Sequence, residues 1–389
     1  MKDRRNKTSM RRGVALLVVL FIVMAITILS LGFLSQSDVE LACGENMKLR
    51  TKMDYLAESG LEHAKGLILN PQDIDGEYWR GNVRQQLVGG SDEYYDVNVV
   101  KLGWCNYQIT CEAYREKGSE KIGCSRIRGE LRLDPGIGFW AGETWVSELQ
   151  TTVNGDVYCI QDLKGGADIN GDAFAKWSAT AINVEGRKTG GVAQAPIAWP
   201  GLDINDFSSN YYVGSMSYPV QSISPGKYIN RTFGSALSKP PEVFYCNGNL
   251  ELGGSVTING MLAVDGNLII SDSNGTTANI ITAGKNFPAL LVGGEVTVNS
   301  GGKLEVKGLA QIYERIYINT GAENVNINII GGLFINQGNI DGLNASSITN
   351  SVNITAAPSL ASIEIWPAPG SPVRWTPAGG AFFRSIKRI

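Results

Sequence analysis

A single histidine, His63, stands in 389 residues, and that scarcity removes whole classes of chemistry. Ser-His-Asp and Cys-His catalysis need an imidazole beside the nucleophile, and His63 lies next to Glu62 in a helical stretch, away from the bulk of the chain. Zinc sites draw on paired C-x2-C spacings and usually on histidines, and neither occurs around the six cysteines. No Gly-rich phosphate loop follows strand-to-helix order, so the 47 glycines read as corners between short strands. Charge is sparse as well, at 18% of residues with a net value of −3. The first thirteen residues carry six positive side chains and one negative, so the remainder stands at −8, which argues against nucleic acid as a partner.

What the chain has in plenty is an apolar run near its start. Residues 14–34 contain only Thr27 and Ser30 as clear polar interruptions, and as a helix they would measure roughly 31 Å, the thickness of a bilayer's hydrocarbon core. Lys2, Arg4, Arg5, Lys7, Arg11 and Arg12 precede the run, which holds the N-terminus in the cytoplasm and exports the residues beyond the run. The helix continues to residue 70, with Val39, Met47, Leu49, Met53, Leu56, Leu61, Ala64 and Leu67 marking one apolar stripe, and Pro71 ends it.

Two phrases, Arg12-Gly13-Val14-Ala15-Leu16-Leu17-Val18-Val19-Leu20 and Tyr55-Leu56-Ala57-Glu58-Ser59-Gly60-Leu61-Glu62, resemble the class III signal and first helix of type IV pilin-like proteins. The likeness is to the group holding the PilX-type minor pilins and the K-type minor pseudopilin of type II secretion, and it covers about a fifth of the chain. The resemblance implies cleavage by prepilin peptidase between Gly13 and Val14, methylation of Val14, an inner-membrane location with the body periplasmic or extracellular, and other pilin or pseudopilin subunits as partners. At the fifth position after the cut, where major pilins carry Glu, this chain has Val18. In the K-type pseudopilin the same departure is taken to fit a subunit at the fibre tip. Two other readings of the N-terminus stay open: a plain single-pass anchor, and a secretory signal cut after Gly32.

The expected organisation is a leader (1–13), a long helix (14–70, membrane-spanning over 14–34), a small antiparallel head (71–134), a β-helix-like body (135–357) and a Pro/Trp-rich C-terminal strap (358–389). The head is expected from three strand-like runs over 94–102, 105–115 and 122–133 with alternating apolar residues. The fold class is therefore α+β, a pilin-like module followed by an all-β solenoid. The body's clearest repeat spans 247–270: Gly248, Gly254, Gly260 and Gly266 recur every six residues, each followed by apolar residues two and four places on. Asn154-Gly155-Asp156 and Asn170-Gly171-Asp172 suggest earlier rungs, and the Asn-dense stretch 319–353 suggests corners. Residues 195–241, with six prolines, read as an excursion over the body wall, without runs long enough for several strands.

Site expectations are modest. No catalytic residue, cofactor or metal ligand is assigned, and the chain is not expected to be an enzyme. Polysaccharide-acting solenoids are the rival class, but Glu251, Asp265, Asp272, Glu295 and Glu305 share no register. Calcium would call for clustered Asp in a G-G-x-G-x-D repeat that is absent. Cys105, Cys111 and Cys124 lie within twenty residues, and a disulfide among them or burial as free thiols are both open. A surface glycan or a secreted substrate is a further partner class for the body.

Overall fold

The computed structural model describes residues 8–69, 79–103, 106–147, 150–181, 183–213, 215–235, 241–272, 275, 277–283, 287–343, 349–356, 363–368, 371–375 and 381–389. One helix, Thr8–Leu69, runs unbroken for 62 residues, on the order of 93 Å at 1.5 Å per residue. Its two halves differ. Every residue from Val14 to Met47 is exposed, whereas Met53, Leu56, Ala57, Leu61, Ala64 and Ile68 are buried against a sheet. The expected stripe is therefore too long at its start, where Val39 and Met47 stand 67% and 72% exposed, and it missed Ala57 and Ile68.

That sheet is the head. Strands Glu93–Gly103, Asn106–Lys117 and Glu120–Leu133 form the expected antiparallel meander, and their inward residues alternate as a half-buried sheet requires. A fourth strand was not expected. Ala381–Arg388 pairs antiparallel with Glu120–Leu133, so the last residues of the supposed strap close the head's free edge. The bond capacity of an exposed edge is satisfied this way, and Phe383 lands over Gly129, where a Cβ would lie 2.8 Å from the ring. Two further strands of the same segment, Ile363–Ala368 and Ser371–Trp375, form a hairpin that pairs at Trp366 with Tyr212 of the excursion.

Beyond the head the chain is nearly all strand, mostly in parallel sheets. From Val243 to Thr355, successive strands enter a ten-stranded, a six-stranded and an eight-stranded sheet in strict rotation. Leu250 pairs with Leu268 and Leu252 with Ile270, eighteen residues on, so three six-residue units return the chain to the same sheet. The repeat's apolar positions (Leu250, Val256, Leu262, Leu268 and Leu252, Ile258, Val264, Ile270) are all at most 1% exposed. Later returns are longer: Leu262 pairs with Leu290 and Ile316 with Ile340, because more residues separate strands such as Leu268–Ile270 and Asn279–Thr282, which erases the six-residue period.

The stacking order is not the chain order. Ile137–Ala141 pairs with Leu333–Ile335, and Thr151–Asn154 with Ser351–Thr355, so the chain enters beside its own late strands. It proceeds outward through Asp156–Cys159 and Ala173–Ala175 to Lys188–Thr189 at one end, then crosses to Gln221–Ser222 at the other. The crossing segment is the Pro-rich excursion. Ile197, Leu202, Phe207 and Tyr211 cover the outer face of the ten-stranded sheet, which explains why strands there, such as Met261–Val264, are buried on both faces. The expectation that 195–241 could not supply several strands was wrong. Gln221–Ser222, Gly226–Ile229 and Thr232–Phe233 already belong to the three parallel sheets. They form the end layer with one side in solvent, so they need no apolar run and left no such signal.

Candidate assembly surface

The protruding half of the helix carries a long unbroken run of exposed apolar side chains among the described residues. Leu16, Leu17, Phe21, Leu31 and Phe33 are each at least 62% exposed, and this is the one helix among the described residues long and apolar enough to cross a membrane. Its polar interruption is internally satisfied: Thr27 Oγ1 donates to the Val23 carbonyl one turn back at 2.8 Å, so the hydroxyl needs no water. Gly13 and Val14 both lie within the helix, and Val18 is 52% exposed, an apolar side chain among apolar neighbours. Residues 1–7 of the leader lie outside the described residues.

The packed half shows why the second phrase reads as it does. Gly60 faces the sheet where it comes closest, and a Cβ there would lie 2.3 Å from Cys111 Sγ and 2.9 Å from the Tyr95 ring. Only a missing side chain admits this approach. The rim is polar: Ser125 Oγ donates to Asp54 at 2.5 Å, Lys52 meets Glu93 at 2.5 Å, and Arg388 of the closing strand reaches Asp54 and Glu58 at 3.0 and 3.2 Å. These exposed pairs contribute little energy but fix the helix against the sheet. His63 Nδ1 and the Tyr95 hydroxyl share a 2.9 Å hydrogen bond, a structural use of the lone imidazole.

Two of the three clustered cysteines, Cys111 and Cys124, fall among the described residues. Cys111 is a buried free thiol facing the helix, and burial, with the Asp96 and Glu112 charges behind it, pushes it up to about 12. Cys124 is free and exposed, since it sits on the opposite face of its strand, and the two are not bonded. Cys105 lies outside the described residues. Cys43 is free and exposed on the protruding half-helix.

Where head meets body, the sequence pattern of Asn154-Gly155-Asp156, Asn170-Gly171-Asp172 and Glu185-Gly186-Arg187 stacks into a ladder. Asp156 Oδ1 accepts the Asp172 amide at 2.8 Å, and Asp172 Oδ1 accepts the Arg187 amide at 2.8 Å. Asp156 Oδ2 accepts the Gly136 amide at 2.8 Å, and Arg132 of the head reaches Asp156 at 3.4 Å and Asp172 at 3.9 Å. Arg187 also holds Asp172 Oδ2 at 2.8 Å and Asp134 at 3.8 Å. Asp156 is fully buried, and burial raises it to about 6 against the amides and Arg132. Burial also works against the Asp172 charge, but the Arg187 amide and guanidinium outweigh it and hold that carboxyl below its ordinary range. The chemistry here is that of a joint. The sequence displayed the Asn-Gly-Asp pair, whereas Arg132 and Arg187 carried no signal of their own.

Three of the scattered carboxylates have cationic partners. Glu251 pairs with Lys227 at 2.6 Å, Glu295 with Arg315 at 2.6 Å and Glu305 with Lys307 at 3.0 Å, and Glu251 and Glu305 lie on different sheets. Among the described residues no group of three His, Cys, Asp or Glu side chains could hold a metal ion. Asparagines divide between two roles. Asn324 takes a left-handed corner at φ 58°, but Asn326 and Asn328 face outward on a strand, so the corner expectation fails for those two.

No family model matches this chain, and no curated protein matches it. Among solved structures, the chain is matched with the competence-associated pilin ComZ from Thermus thermophilus at 12% identity, covering 88% of this chain and 98% of that one. The TM-score is 0.21, at which the likeness carries no argument about function.

Proposed function

We propose that the chain is a minor pilin or pseudopilin, a subunit of a type IV pilus or type II secretion filament, anchored in the inner membrane and matured by prepilin peptidase between Gly13 and Val14. One observation carries the reading: a single helix has its apolar first half free of the fold and its second half built into a small antiparallel head. The free half has the composition and length to lie in lipid and then among the helices of other subunits. The rotation of strands through three mostly parallel sheets supports reading the body as a β-helix, which the long helix would present outside the membrane without a catalytic role.

Two features of the same reading favour a place at the filament tip. Val18 offers no carboxylate to pair with the terminal amine of a neighbour above, and an unpaired buried charge is costly. The body behind the head, bulky beside the slender helix, would crowd a close-packed shaft and meets no such obstacle at an end. Gold labelling of native filaments with an antibody to the β body tests this. We expect ends alone to be marked; regular decoration of the shaft would refute the tip position, and filaments never labelled in cells that carry the protein would refute the subunit role.

A further inference from the structure

The ladder at the head–body joint surrounds Asp156 with donors. Its two oxygens accept from the Gly136 amide, the Asp172 amide and Arg132, and the side chain is entirely shielded from water. These partners belong to different parts of the molecule: Arg132 to the head strand Glu120–Leu133, Gly136 to the link, and Asp172 to the next layer of the body. The other charged groups facing the site are Asp172 itself, Arg187 and Asp134, with Glu185 and Arg384 lining the same cleft of ≈730 Å³. A carboxylate satisfies this arrangement and a carboxylic acid does not. The added proton turns one acceptor oxygen into a donor aimed at other donors, so one of the three bonds must be given up.

We propose that Asp156 is a proton-responsive latch, ionised when it fixes the body's angle to the long helix and protonated when it releases that angle. The amides of Gly136 and Asp172 are held in place by backbone pairing beside Asp156, whereas the 3.4 Å contact to Arg132 is the longest of the three and is the one to lapse. Arg132 then loses its bond to the body's buried carboxylate, and its pairing with Asp172 at 3.9 Å and the packing of Ala356 against the head core remain as weaker ties. Because burial places the titration near 6, the latch works in the folded protein, above the pH at which ordinary carboxylates protonate. A body presented outside the membrane would thus be held rigidly in neutral surroundings and swing in acidified ones. The latch does not depend on the filament assignment.

Spin-label distance measurement on the full-length protein in detergent tests it. One label goes on exposed Cys124 of the head and the other on Lys307→Cys of the body, with Cys43→Ser and Cys105→Ser to remove other sites. We expect a narrow distance distribution at pH 7.5 that broadens by pH 5 with a midpoint near 6, and in Asp156→Asn a broad one at both values. Should Asp156→Asn fail to fold, Arg132→Gln decides: with the lapsing contact removed, the distribution should be broad at both pH values. A wild-type distribution unchanged between the two pH values, or a narrow one at pH 7.5 in Arg132→Gln, would overturn the proposal.

Discussion

The two halves of the long helix share backbone geometry, yet residues 14–47 stand exposed throughout and the stretch from Met53 to Ile68 forms the floor of the head. The difference lies in composition and spacing. Residues 14–34 are apolar all round, as a helix in lipid must be, whereas residues 49–68 keep apolar side chains to one face and place Lys52, Glu58, Glu62 and Lys65 on the other. A residue's effect should therefore depend on which half holds it, even when its type is the same.

The largest contrast is between two methionines. Met53→Ala removes a fully buried side chain and should destabilise the head by about 2–5 kcal/mol in denaturant titration. Met47→Ala, at a position 72% exposed, should leave the midpoint unchanged. Equal losses would mean that the packed boundary lies elsewhere. Two glycines sharpen the point. Gly60→Val drives a side chain into Cys111 and Tyr95 and should cost about 1–3 kcal/mol, while Gly44→Val meets nothing within 4 Å and, by helix propensity, gains a few tenths of a kcal/mol.

The smallest expected effect is chemical. Cys43 on the free half should react with a maleimide in folded protein at neutral pH, as should Cys124. Cys111, buried against the packed half and raised to about 12, should react only after unfolding. Mass spectrometry of labelled peptides reads this out, and rapid labelling of Cys111 would show that the head opens easily around Gly60.

Local regularities were legible in the sequence and long-range ones were not. The Gly248–Gly266 spacing exposed a stacked architecture because its corners hold no insertions there, and alternation in 94–102, 105–115 and 122–133 marked the meander. Nothing local in Ala381–Arg388 says that its partner lies some 250 residues earlier, and a closing edge strand with an exposed face has a weak apolar pattern. The pairing of Leu333–Ile335 with Ile137–Ala141 was hidden for the same reason. At the joint, Asn-Gly-Asp was visible twice, but its third member ends in Arg187, so the repeat broke where its charge balance is made.

Whether the free half-helix is an arm for assembly or a simple anchor is decided at the mature N-terminus. Mass spectrometry of protein extracted from native membranes should find a chain beginning at a methylated Val14, as an assembly arm requires. A chain beginning at Met1, or one cut after Gly32, would contradict that role.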